Sequence, residues 1–131
     1  MALLKRDDIL NALDIALEEV EVPEWGGSVF VKGLTGAERD KFEASLVIER
    51  GKNRTVNMAN FRAKLACLTI CDEKGKRLFT EKDVAIMSEK SASALQRVFI
   101  VSQRLSNINQ EDIEELTEEL EADPFDGSPL D

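Results

Sequence analysis

Apolar residues recur along this chain with two different periods, and the switches between them predict its elements. In "RDDILNALDIAL" (residues 6–17), Ile9, Leu10, Leu13 and Leu17 fall at helical spacing behind Asp7 and Asp8, whose charge suits a helix N-terminus. The segment reads either as a short helix or as a lead-in that orders on a partner. From Glu19 the period drops to two: Val20 and Val22 alternate with Glu19 and Glu21, and Pro23 ends the strand or confines it to a sheet edge. Gly26 and Gly27 supply a turn, and "SVFVKGL" resumes the alternation with Val29 and Val31 on one side, Phe30 and Lys32 on the other. The pattern is a β-hairpin. Two strands alone are marginal in water, so this pair must lean on helices or gain strands from another subunit.

The helical period then returns. Thr35-Gly36-Ala37-Glu38 has the order of a capping box, which starts a helix at Gly36 that buries Phe42 and Leu46 and stops at Gly51 and the polar run "GKNRTVN". A second helix, from Met58 to Asp72, buries Phe61, Leu65 and Leu68 with Ile70 or Cys71 beside them. "DEKGKR" turns around Gly75, and Thr80 with Asp83 repeats the capping order ahead of a short helix carrying Val84, Ile86 and Met87. "SASALQRVFIVSQRLS" (residues 91–106) places Leu95, Val98, Phe99, Ser102 and Leu105 on one stripe, as a core helix does. Past Asn109, Ile113, Leu116 and Leu120 form a thin apolar line on an acidic helix, and "DPFDGSPLD" reads as disordered. The expected fold is therefore α+β and mainly helical: an N-terminal β-hairpin packed on about four helices, followed by the acidic helix and a tail. Residues 1–16 form the lead-in, 17–108 a single globular domain, and 109–131 the acidic helix and flexible tail.

Charge changes the picture by its location. The net charge is -9, yet residues 109–131 hold ten acidic residues and no basic one, which leaves the first 108 close to neutral. Such a tail would be repelled by a phosphate backbone, and the only basic knot, "RGKNR" (residues 50–54), carries no aromatic residues and reads as a solvated loop. No stretch approaches the roughly 20 apolar residues that span a bilayer, and "MALLKRDD" lacks the apolar region of a signal peptide. The expectation is a cytoplasmic protein with neither nucleic acid nor membrane as partner.

Catalytic chemistry finds little to use. The chain has no histidine, so triads and most neutral-pH proton shuttles lack their usual base. Cys67 and Cys71 lie four apart, on one face of a helix, a spacing poor for a disulfide and too sparse for a zinc site; two small buried residues explain them. Neither Gly26-Gly27 nor Gly33-x-x-Gly36 continues into a phosphate loop, and the Gly75 turn lacks the further acidic ligands of a calcium loop. No catalytic, cofactor-binding or metal-binding residue is expected, and interaction surfaces remain. Candidates are the hairpin residues Val20, Val22, Trp25, Val29, Phe30 and Val31, together with Ile113, Leu116 and Leu120 on the acidic helix. Trp25 at the hairpin tip is either an aromatic anchor or a core plug.

Two stretches carry a resemblance. "VPEWGGSVFVKGLTGAERDKFEAS", followed by "LACLTICDEKGKRLFTEKDVAIMSEKSASALQRVFIVSQRLS", resembles the tail assembly chaperones of long-tailed bacteriophages and related prophages. The shared features are the hairpin, the "LTGAERD" helix start, the "CDEKGKRLFTEKDV" segment and the "SEKSASALQRVF" helix, in that order, over residues 17–106. The resemblance implies a small, mainly helical protein, made in the host cytoplasm and absent from the mature virion. It further implies a tape measure protein and tail tube subunits as partners, with possible self-association. Many such families also make a longer frameshifted product, which here would diverge after Leu120. Two other roles fit a small acidic chain without catalytic residues: a structural virion component such as a head–tail joining protein, and a regulator that captures a host factor.

Overall fold

Alternating residues Leu17–Val22 (β1) run into a single 3₁₀ turn at Pro23–Trp25 and return as Gly27–Lys32 (β2), antiparallel, with Val20 opposite Val29 and Val22 opposite Gly27. The computed structural model describes residues 2–108, and the structural statements below concern those. Gly26 closes the turn at φ +77°, a left-handed conformation that glycine takes without a Cβ penalty, and its N–H donates to the Pro23 carbonyl at 3.0 Å. Val20, Val22 and Val31 share the buried face, while Glu19 and Glu21 stand in solvent. The hairpin is supported on both fronts: helices cover the valine face, and a third strand pairs with β2.

That third strand corrects the expected helix over 58–72. The helix α3 spans Phe61–Thr69, and Ile70–Cys71 (β5) turn extended and pair antiparallel with β2, giving the strand order β1-β2-β5. Two influences end the helix. Thr69 turns its hydroxyl onto the Leu65 carbonyl at 2.8 Å and lies 2.8 Å from the Ser102 hydroxyl, and the open edge of β2 offers Ile70 and Cys71 a ladder. Cys67 and Cys71 consequently do not share a helix face. One sits on α3 and the other on β5, both free and buried.

A second correction concerns residues 46–56. The first long helix, α2, spans Gly36–Ser45 and stops before Gly51, because Val47–Arg50 (β3) and Asn53–Val56 (β4) form an antiparallel hairpin. Val47, Ile48, Thr55 and Val56 are β-branched, and Gly51 at φ +62° supplies the left-handed first position that two-residue hairpin loops favour. The knot read as a solvated loop is thus a hairpin tip with parts of both strands. At the other end of α2 the capping box forms as expected: the Thr35 hydroxyl accepts from the Glu38 N–H at 3.1 Å, and the Glu38 carboxylate accepts from the Thr35 N–H at 2.9 Å. Thr35→Ala should therefore lower the unfolding free energy by about 1 kcal/mol, seen as a lower urea midpoint; an unchanged midpoint would show that the cap carries no load.

The remaining elements are a 3₁₀ turn at Glu81–Asp83, the short α4 (Val84–Met87) and α5 (Ala92–Leu105). The side chains of Thr80 and Asp83 cap the first, and Ser91 caps the last through the Ala94 N–H. Two buried clusters result. One lies under the three-stranded sheet and joins Val20, Val22, Val31 and Ile70 to α3, Met87 and the Ala94, Leu95, Val98 face of α5. The other collects Leu34, Phe42, Leu46, Phe61, Leu65 and Ile108, with Phe61 tilted against Phe42 at 5.3 Å and meeting Phe99 edge-on at 5.4 Å between ring centres. Ser106, buried at the end of α5, accepts from the Leu34 N–H at 3.1 Å and ties the chain after β2 to that helix.

The lead-in takes a form between its two readings. Arg6–Leu10 is a five-residue helix, α1, with no buried residue, and the chain then runs without regular structure to Leu17, which opens β1. The acidic helix and tail expected over 109–131 lie outside the described residues.

Candidate docking surfaces

Three surfaces have the character of docking sites, and the first is the hairpin itself. Val22 and Val31 are fully buried and Val20 nearly so, all in the cluster under the sheet. Val29 and Trp25 are half-buried against the same cluster, and Phe30 is half-buried on the opposite face of β2, beside Cys71. Ile113, Leu116 and Leu120 lie outside the described residues. Trp25 combines features of both readings: it packs on the core, its indole N–H is buried without an acceptor among the described residues, and the residue keeps some exposure. Beside it opens a pocket of about 430 Å³ bordered by Phe79, Ile86, Met87 and Lys90, in which Ile86 is 69% exposed. The tip is fixed from below, because Arg97 on α5 donates to both Glu24 oxygens at 2.9 and 3.1 Å. That guanidinium holds the Glu24 carboxyl below the usual carboxylate range.

The second surface is a groove between α2, α3 and α4. Phe42, Cys67, Leu68 and Val84 give it an apolar lining around about 500 Å³. Lys41, Lys64 and Arg77 also line it, with Glu38 and Glu81. Arg77 donates to the Cys67 carbonyl at 3.4 Å and pairs with Glu81 at 3.8 Å, but its Nε is buried with no partner among the described residues. Burial pushes the Cys67 thiol up to about 11, and the Asp83 carboxylate acts in the same direction. The sign of the linkage follows. Folding favours the protonated thiol, so this contribution is complete below about pH 9, the ordinary thiol range, and is lost as pH rises toward about 11. The thermal midpoint should fall through that window, and Cys67→Ala should remove part of the fall; an identical fall in both proteins would assign it elsewhere.

The third surface is the arm, residues 2–16, every one of them exposed. Leu3 is 96% and Leu13 102% exposed, with Leu4, Ile9, Leu10 and Ile15 between 44% and 63%. Apolar side chains so concentrated and so open are rare on a monomer unless something covers them.

None of these surfaces gathers catalytic chemistry. Among the described residues no group of three His, Cys, Asp or Glu side chains could hold a metal ion, and no helix is long and apolar enough to cross a membrane. Asp72, a potential calcium ligand by its place in "DEKGKR", instead accepts from the Lys76 and Lys74 N–H groups at 2.9 and 2.8 Å, and these bonds hold its carboxyl below the usual range.

A family model described as phage tail assembly chaperone matches residues 6–119. The chain belongs to that family. The match takes in the five-residue helix of the arm and runs past Ile108, beyond both ends of the 17–106 span on which the sequence resemblance rests. No curated protein and no solved structure matches the chain. In this chaperone the groove is the surface that sequence reading missed. Its walls come from α2, α3, α4 and the segment that leads into α4, and Phe42, Leu68 and Val84 all pass as ordinary core positions by periodicity. The arm left a clearer signal, since the Ile9, Leu10, Leu13 spacing raised a segment that orders on a partner.

Proposed function

We propose that this chaperone acts without catalysis, binding the tape measure protein and bringing tail tube subunits to it in the host cytoplasm, and that it is absent from the mature virion. Membership of the phage tail assembly chaperone family is the observation that carries the reading. The geometry supports it with a recess of suitable character: the pocket beside Trp25, where Phe79, Ile86 and Met87 offer an apolar seat for side chains of a long helical client.

Retention of purified tape measure fragments on the immobilised chaperone tests the proposal. Micromolar binding is expected, with Ile86→Asp weakening it about tenfold or more while the fold stays intact, because Ile86 is mostly exposed. Failure of the folded wild-type chaperone to bind at micromolar concentration would overturn the tape measure assignment. Mass spectrometry of purified particles checks the rest: several copies per virion would replace the chaperone reading with that of a structural tail or joining component.

A further inference from the structure

The α2–α3–α4 groove is apolar inside and carries three cationic side chains, and the described part of the chain ends in the cluster behind it. We propose that residues 110–122 of the same molecule lie in this groove as an acidic strap, with Ile113, Leu116 and Leu120 against its apolar lining. The strap occupies a surface other than the pocket beside Trp25 and does not depend on the client assigned there.

The root of the strap is close to its seat. Ile108 is 2% exposed in the cluster that holds Phe42 and Leu65, with Leu68 packed against it. Phe42 and Leu68 also line the groove, so the chain after Ile108 emerges from the cluster that backs the groove wall. Residues 109–112 span up to roughly 13–14 Å, more than the roughly 8–10 Å between packed helix axes. A separate molecule must reach the groove by diffusion, whereas a segment on so short a tether is held there at an effective concentration in the millimolar range.

The two surfaces complement each other in chemistry. Residues 110–122 contain seven acidic residues and no basic one. At helical spacing Ile113, Leu116 and Leu120 fall on one line, with Asp112 and Glu119 along one side of it and Thr117 along the other. The groove offers Phe42, Leu68 and Val84 to that line, and Lys41, Lys64 and Arg77 to its acidic border. The two acids of the groove are already engaged, Glu38 in the capping box of α2 and Glu81 beside Arg77 at 3.8 Å. Arg77 has donors to spare. Its contacts with the Cys67 carbonyl and with Glu81 both use one terminal nitrogen, its Nε has no acceptor among the described residues, and the side chain is 28% exposed. A carboxylate brought beside this guanidinium gains a charge-assisted bond that the surrounding residues leave unmade. The strap thus closes the groove from within, and any other apolar segment must displace it to enter.

Disulfide capture on the full chain, without any client, tests the proposal. Ser45 is an exposed position on the groove wall, and Ser93 is an exposed position on α5, which does not border the groove. Thr117→Cys is combined with Ser45→Cys in one variant and with Ser93→Cys in another, and peptide mass spectrometry after mild oxidation locates the bridge. The Ser45 pair should close within one molecule about tenfold faster or more than the Ser93 pair, which shares the same tether. The preference should shrink as salt rises from roughly 0.05 to 0.5 M, and Leu116→Asp combined with Leu120→Asp should abolish it. Equal rates for the two pairs would overturn the proposal, as would a preference that survives both aspartates. A Ser45 bridge formed between two molecules would overturn it too, by giving the groove to a segment of another copy. Hydrogen exchange reads the same contact without added cysteines. Amides of residues 110–122 should exchange about tenfold slower in the wild type than in the double-aspartate variant, and equal rates would refute the strap.

Discussion

Gly33→Ala should lower the unfolding free energy by about 2–3 kcal/mol, observed as a lower urea midpoint with an unchanged slope. A methyl group at this position would lie 2.7 Å from the carbonyl oxygen of Leu105 and 3.3 Å from its carbonyl carbon. The obstacle is helix backbone, so no side chain can swing aside to relieve it. Relief requires the end of α5 to back away from the strand, which strains the Leu34 N–H to Ser106 hydroxyl bond and opens the cluster around Ile108. Gly27→Ala is the matched control. A methyl group there meets nothing within 4 Å, so its effect should stay within about 0.5 kcal/mol. Equal midpoints for the two variants would show that α5 yields at no cost.

Val31→Asp should prevent folding at neutral pH. Val31 is 0% exposed on the buried face of the central strand, opposite Ile70, and the cluster around it supplies only apolar partners. An ionised carboxylate there would lose its hydration without a compensating partner, a cost of several kcal/mol against a total stability of about 5–15 kcal/mol for a domain. The variant has a pH signature. Burial would raise the folded-state pKa of the new carboxyl above its unfolded value near 3.9, so the destabilisation sets in as pH rises through about 4 and fades on acidification. Circular dichroism between about pH 3 and 7 reads both arms of this behaviour. A variant that keeps the native spectrum at neutral pH would return Val31 to the set of partner-contact residues.

That distinction marks the limit of what the sequence alone could show. The first hairpin was legible because each of its signals is local: alternation in β1 and β2, proline before the turn, glycine at the left-handed position. The α2 start was legible for the same reason, since both bonds of the Thr35–Glu38 box close within four residues. β5 was not, because two residues carry no period and Ile70 is strand-like only by virtue of an edge some forty positions earlier in the chain. The β3–β4 hairpin was missed where Leu46, Val47 and Ile48 continue the apolar pattern of α2; the cue available was the β-branched Val47 and Ile48 ahead of Gly51. On the docking surfaces, the apolar residues of β1 and β2 were legible as a set but not by role. Val20, Val22 and Val31 entered the core, Trp25 stayed at its margin, and the arm residues found no cover among the described residues.

The position of α5 bears on how the chain closes during synthesis. Its Leu95 and Val98 seal the valines of the hairpin, Phe99 leans on the second cluster, and Arg97 and Arg104 reach Glu24 and Glu18, 73 and 86 positions earlier. A ribosome extends a chain by about 5–20 residues per second, so the hairpin leaves the exit tunnel roughly 4–15 seconds before its cover does. Until α3 and β5 follow, a two-stranded hairpin cannot hold itself closed, and until α5 follows the valine face is only partly covered. No nascent fragment of this protein that lacks α5 has a finished core. Completion of the core waits for α5, and until that helix arrives the newborn chain exposes apolar surface of the kind that makes incomplete folds prone to aggregate.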